Sequence, residues 1–392
     1  MREALRAQNH ILFIGTSLIY AGLTYALTYH LSSLGTSDFG AHAELVLNLW
    51  KGDSFSSFFQ SVSYPGWHAI FYLLTNAGIS HLVSISLATA LFNFLTAVVV
   101  FYGIYFLLEK RASLGISLLL GTVVLFVTAI FLPPYSPEVY SGHGSPTVWH
   151  NPTYIAVKAV GLLTALIFFS VLKKRTARAQ TMVLIGLLVF ASLLLKPSFL
   201  QFFLPAVFLY LVIDYCWNRD LRFVRNILLA LAPALLLLGY QFFSTFYSSP
   251  ALGDGGIALT FFGHSRQTTA FFPLSVLLLL AFPLFAAVVC RKDIFKKNSP
   301  YVPFALMLAV AFCEFSFLIE TGARATHGNF AWGYFLAVFI AWVLLLPLFV
   351  KKAFVEKSLG KPVAVLGVAL VALHFASGIY YYLHLLFGTA MF

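Results

Sequence analysis

Charge is what this chain of 392 residues has least of. Only 9% of its residues are Asp, Glu, Lys or Arg, where a soluble domain carries roughly 25%. That excludes a soluble globular enzyme. Cysteine is nearly absent too. Cys216, Cys290 and Cys313 share no metal or redox spacing, so neither a disulfide framework nor a thiolate metal site is expected. No usable Asn-x-Ser/Thr sequon occurs, which fits a bacterial plasma membrane better than the endoplasmic reticulum. What the chain has instead is apolar: 60% hydrophobic residues, 42 of them Phe, and a mean hydropathy of +0.91. Long apolar runs separated by short basic clusters make this a polytopic, all-α membrane bundle.

The net charge of +11 does not point to nucleic acid. Nineteen of the 24 Lys and Arg fall in six short clusters: Arg2/Arg6, Lys110/Arg111, Lys173–Arg178, Arg219–Arg225, Arg291–Lys297 and Lys351–Lys361. Such clusters set topology. Placing all six in the cytoplasm gives eleven spans: 10–31, 82–108, 114–132, 153–172, 181–195, 199–213, 224–243, 271–290, 302–319, 331–350 and 363–384. The N-terminus is then inside and the C-terminus outside. The first apolar run lacks a small-residue cleavage site and reads as a retained helix. Residues 66–80 (GWHAIFYLLTNAGIS) are short and carry His68 and Asn76. Counting them as a crossing would move two basic clusters outside, so a helix along the outer surface, or dipping partway in, is expected. Spans 181–195 and 199–213 meet at Lys196-Pro197-Ser198, a hairpin tip expected below the outer surface.

This topology gathers the chemistry on one side. Nine of the eleven histidines, with Asp38, Glu44, Asp53, Glu138, Asp254 and Glu320, fall at outer ends or loops. Cations there are few: Lys51, Lys158, Lys196, Arg266 and Arg324. The working face is therefore the outer one. After span 1, Asp38, His42 and Leu45 share one helical face, as do Ala41 and Glu44. A membrane-proximal Asp beside a His suits proton abstraction; the plainer reading is a helix N-cap. The second outer loop (PPYSPEVYSGHGSPTVWHN) offers Glu138, His143 and His150 to a metal or a substrate, though the spacing matches no metal motif. Lys196 sits inside an apolar hairpin, where a cation is costly unless it snorkels or pairs with an anion such as phosphate. Lys158 is explained equally by snorkelling. Arg266 and Arg324, with His264 and His327, complete a candidate cationic pocket; pairing of Arg324 with Glu320 along one helical turn is the alternative. Glu314 and His374 lie within spans.

The run SDFGAHAELVLNLWKGD after span 1, the step SYPGWHAIFYLL, the block LFNFLTAVVVFYGIYFLLEKR and the acid of the next outer loop together resemble the GT-C superfamily of integral membrane glycosyltransferases. The detailed likeness covers residues 1–215, including KPSF at 196–199. Residues 216–392 share only the plan of spans and outer loops. The resemblance implies a GT-C-like catalytic module followed by further membrane helices, with no separate soluble domain. It implies Asp38 as catalytic base, Glu138 as a metal or acceptor ligand, and residues 52–80 as outer juxtamembrane helices. Lys196, Arg266 and Arg324, with His264 or His327, would hold the donor phosphate. His42, Glu44, His143 and His150 join Glu138 as acceptor or metal ligands. The sequence assigns no particular cofactor; a divalent cation, Mg or Mn, is compatible with the family. The first loop departs from it in having no paired adjacent acids.

The implied partners are a polyprenyl-phosphate-linked sugar, a glycan or lipid acceptor and the bilayer. Acceptor recognition falls to the membrane module or to a partner protein. The expected reaction is inverting sugar transfer to a hydroxyl at the extracytoplasmic face, serving a cell-envelope glycan, polymer or lipid. Two other functions stay open: a polysaccharide polymerase or ligase using lipid-pyrophosphate glycans, which the same residues would serve, and a transporter or flippase for a lipid-linked sugar, which only the midspan Glu314 and His374 favour.

Overall fold

The computed structural model describes residues 2–35, 37–50, 64–109, 113–135, 139–140, 143–247, 256–269 and 271–388. Asp53, Glu138 and Asp254 lie outside them. Helices dominate: α1 (Arg2–Leu34), α2 (Asp38–Trp50), α3 (Gly66–Asn76), α4 (His81–Leu107), α5 (Leu114–Phe126), α6 (Pro152–Lys174), α7 (Ala179–Leu195), α8 (Ser198–Asn218), α9 (Leu221–Tyr247), α10 (Gly263–Thr268), α11 (Phe272–Val289), α12 (Arg291–Ile294), α13 (Val302–Phe317), α14 (Asn329–Val350) and α15 (Lys361–Phe387). Two short strands, β1 (Ile257–Leu259) and β2 (Leu318–Glu320), pair antiparallel, with Ala258 opposite Ile319. Each of the eleven expected spans overlaps a helix, though not always over its full length. Among the described residues, eight helices are long and apolar enough to cross a membrane, and Leu114–Phe126, Ala179–Leu195 and Val302–Phe317 are shorter apolar helices. α14 is the hub: it is buried on every side and reads as an unbroken apolar run, as expected of a central helix.

Among the described residues, ion pairs join parts of the Lys173–Arg178, Arg291–Lys297 and Lys351–Lys361 runs at one end of the bundle. Glu109, after α4, accepts from Lys173 at 2.8 Å and from Lys351 at 3.2 Å. These two ammonium groups hold its carboxyl down at about 2. Arg175 grips the fully buried Asp214 through both guanidinium nitrogens. Lys352 bridges Asp293 at 2.8 Å and Glu356 at 2.9 Å.

The opposite end holds the last turn of α1, where His30 meets the Gly388 carbonyl after α15, and the first residues of α4. α3 packs against α2, α4, α6 and α7. It is shielded by them rather than lying free on the surface of the protein. Trp67, His68 and Phe71 are fully buried, and Gly66 packs so closely on α7 that a Cβ there would lie 2.6 Å from the Leu195 side chain. Lys196, at the hairpin tip, is 4% exposed and enclosed by protein.

One span departs from its expected form. A helix over 114–132 is expected, but α5 ends at Phe126 and the chain continues extended. Val127, Ala129 and Ile130 are buried there. β-Branched residues followed by Pro133-Pro134 disfavour further helix. The freed backbone groups find partners: His374 Nδ1 pairs with the Thr128 carbonyl, the Thr128 N–H donates to the His374 carbonyl, and the Phe131 N–H donates to Ser377 Oγ at 3.0 Å. Non-helical backbone at this depth persists only when protein groups satisfy it. His374, the midspan histidine that keeps a transport function open in the sequence, therefore carries a structural duty.

Candidate functional site

At the end opposite the ion pairs lies a chamber of about 670 Å³. Four helix starts or tips meet there: α2, α6, the α7–α8 tip and α14. Asp38 opens α2, where an acid favours the positive helix start. Asn151 caps α6: its Oδ1 accepts the Tyr154 N–H at 2.9 Å, and Pro152 follows as the first helical residue. That bond fixes the amide's orientation. Its Nδ2 consequently donates to Asp38 Oδ2 at 2.7 Å, while Oδ1 also takes a hydrogen bond from Lys196 Nζ at 3.2 Å. Lys196 donates again to Thr153 Oγ1 at 3.1 Å and lies 4.8 Å from the centre of the Trp332 ring. Burial pushes the Lys196 ammonium down to about 7, against the opposing pull of Asp38.

The far wall comes from the loop before α14. Arg324 Nε donates to Glu320 Oε1 at 2.9 Å, and Asn329 Nδ2 holds the other carboxylate oxygen. This is the expected Arg324–Glu320 pair, formed not on one helix but across a strand and a 3₁₀ turn at Gly322–Arg324. Both pairing residues of the loop, Arg324 and Asn329, line the chamber, as do His264 and His327. His264 packs face-on against Gly328, which adopts φ +60°. A Cβ at that position would fall 2.6 Å from the ring, so only glycine serves there. His264 Nδ1 is buried without a partner among the described residues.

The remaining expected residues separate. His42, His143 and His150 line the chamber. Burial lowers the His42 and His150 imidazoles, and His150 meets the edge of Tyr140 at 4.7 Å. Glu44 is exposed and outside the lining. Arg266 also misses it: exposed, the guanidinium lies over Phe261 and Phe272 at 5.6 and 5.7 Å. Lys158 does not snorkel. It is fully buried, with its Nζ 5.1 Å from the Phe339 ring centre and 5.7 Å from that of Trp149. Glu314 sits in α13 away from the lining. Among the described residues, no group of three or more His, Cys, Asp or Glu side chains is arranged to hold a metal ion.

Sequence reasoning overlooks Asn151 and His68. Asn-Pro-Thr ahead of an apolar run is a helix-start signal, and it marks the residue linking Asp38 to Lys196. A second cavity, about 410 Å³ and almost wholly apolar, runs between α11, α13 and α14. Val276 lines both cavities. From there the groove descends past Leu280, Phe304 and Leu344 toward Ile294 and Tyr301 near the basic end. Leu277, Leu284 and Phe295 stand exposed on its rim. No family model and no curated protein matches this chain.

Proposed function

We propose that this chain is an integral membrane glycosyltransferase of GT-C type that crosses the bilayer eleven times. It transfers a sugar from a polyprenyl-phosphate donor to an acceptor hydroxyl on the extracytoplasmic side. The observation that carries this reading is that a chamber lined by polar side chains and an apolar groove lie side by side, with Val276 lining both. Such a pair of neighbouring cavities suits an amphipathic substrate: a phosphorylated sugar in the one, an isoprenoid tail in the other.

The chamber's electrostatics fit an anionic head. Lys196 and Arg324 line it, and the positive ends of α2, α6 and α14 open on it. In this reading Asp38 accepts the proton of the acceptor hydroxyl while that oxygen attacks the anomeric carbon. The bond from that carbon to the phosphate oxygen breaks, and its electron pair leaves on the phosphate. The configuration inverts. Lys196 and Arg324 stabilise the leaving phosphate as its charge grows. The Asn151 amide holds the Asp38 carboxylate toward the chamber. No step runs through a metal.

Asp38→Asn tests it. Purified protein in nanodiscs, without a transmembrane gradient, is supplied with a polyprenyl-phosphate sugar and assayed for transfer. The variant should lose about 10²–10⁴-fold, the usual contribution of a general base, with an unchanged melting temperature. Retained transfer in Asp38→Asn would remove Asp38 from the mechanism. Turnover only with lipid-pyrophosphate oligosaccharides would point to a polymerase or ligase, and movement of donor without its consumption to a flippase.

A further inference from the structure

The chain leading to His264 is a ribbon of extended backbone. In it Leu259 of β1 stands opposite Leu318 of β2. The pairing runs on beyond the two strands, where the Thr260 N–H donates to the Phe317 carbonyl at 2.9 Å. Successive side chains of a strand point to opposite faces. Phe262 turns inward onto Phe312 and Phe315, and Phe315 lines the chamber. Leu259 and Phe261 turn the other way and are 84% and 52% exposed. Phe317 extends this apolar face: it is exposed too, and its ring centre lies 6.1 Å from that of Phe261.

The depth of the ribbon follows from α13, which leads directly into β2. α13 starts at the ion-paired end, where Ser299 Oγ donates to the Asp293 carbonyl at 2.7 Å. Its 16 residues rise about 24 Å, and a hydrocarbon core is roughly 30 Å thick. α13 therefore stops short of the far boundary, and β2 completes the crossing. This puts Leu259 and Phe261 at the edge of the hydrocarbon, with their backbone close to the headgroups. Their exposed face is continuous with that of the membrane helices, through Phe317 on α13 and Leu277 on α11.

Arg266 adds a charge at this level. Its guanidinium is exposed, yet lies over the Phe261 and Phe272 rings at 5.6 and 5.7 Å. A cation resting on apolar surface at the hydrocarbon edge reaches toward the phosphate layer. A guanidinium grips a phosphate through two parallel hydrogen bonds. We propose that the ribbon is a phospholipid-binding face: Arg266 holds the phosphodiester of a lipid in the adjoining leaflet, and Leu259, Phe261 and Phe317 lie against the upper part of its acyl chains. This rests on the chain spanning a bilayer and not on the transfer reaction.

The test uses the full chain, its three cysteines replaced, in phosphatidylcholine nanodiscs. A nitroxide is attached at Leu259→Cys. Oxygen collects in hydrocarbon and a nickel chelate in water, so their relative effects on the label report its surroundings. The label at Leu259 should respond to oxygen over the chelate, like one at the exposed Leu236 of α9 and unlike one at Ser358. Preference for the chelate overturns the proposal. A label reached by neither reagent means that a second copy of the chain covers the strand, and overturns it as well. The cation has its own readout. With ¹³C in the guanidinium carbons, rotational-echo NMR detects arginines close to lipid ³¹P, and Arg266→Gln should remove part of that signal. An unchanged signal overturns the phosphate contact. Neither readout changes meaning if the chain transfers no sugar, so this proposal and the transferase reading fail separately.

Discussion

At the scale of single residues, the chamber depends on a chain of fixed hydrogen bonds: Lys196 to Asn151, Asn151 to Asp38. Replacing Lys196 by Met removes the ammonium that donates to Asn151 Oδ1 and Thr153 Oγ1. Losing such a donor to buried groups costs about 1–3 kcal/mol. Lys196→Met should therefore lower the melting temperature, and in the folded protein the donor KM should rise about 10–100-fold, measured by steady-state transfer. The buried histidines make stability pH-dependent. His68 is held near 4 against an ordinary 6.5, so between those values the unfolded chain binds a proton that the folded chain refuses. Stability is complete above about 6.5, falls as the pH drops toward 4, and changes no further below that. The loss attributable to His68 is on the order of 3 kcal/mol at roughly 1.4 kcal/mol per pH unit. Thermal melts in detergent from pH 7.5 to 4 should show this decline, shallower in His68→Leu. Lys196 was legible in the sequence because a cation in an apolar run has few inexpensive explanations. Asn151 was not, since a capping asparagine looks the same whether or not its amide reaches a carboxylate. That Arg266 lies over Phe261 and Phe272, outside the chamber lining, was not legible, because sequence reports a cation's loop but not the direction its side chain takes.

At the scale of elements, hydropathy located the apolar helices but not the backbone inside each apolar run. The run 114–132 is uniformly apolar, and an apolar residue in extended chain scores the same as one in a helix. The break after Phe126 becomes visible only with α15 beside it. Gly378 admits the contact: a Cβ there would fall 1.4 Å from the Phe126 carbonyl oxygen, and no side-chain adjustment relieves a clash with backbone. Gly378→Ala should abolish monodisperse behaviour in fluorescence-detected size-exclusion chromatography. Gly239→Ala, in α9 with nothing within 4 Å, should elute as the parent does. His374→Ala leaves the Thr128 carbonyl with one partner fewer. It should lower stability by about 1–3 kcal/mol, read as a reduced melting temperature with transfer intact.

At the scale of the whole molecule, the ion pairs and the chamber lie apart. Lys173, Arg175, Lys351 and Lys352, from two of the clusters read from the sequence as cytoplasmic, meet Glu109, Asp214 and Asp293 at one end, and the chamber lies at the other. In the proposed orientation, a single cysteine at Gln267 should react with an impermeant maleimide on intact spheroplasts. One at Ser358 should react only after permeabilisation. Labelling of both from outside would defeat the eleven-span topology. The tie between the extended stretch at 127–132 and α15 also sets a timetable. Thr128 and its partner His374 are 246 residues apart, and at 5–20 residues per second a ribosome needs about 12–50 s to make that interval. Throughout that time the earlier segment has been synthesised while its backbone partners do not yet exist. The first half of the bundle cannot reach its final form during its own translation, and whatever shields that stretch in the meantime, lipid-facing insertase or neighbouring helix, must withdraw for the last helix to take its place.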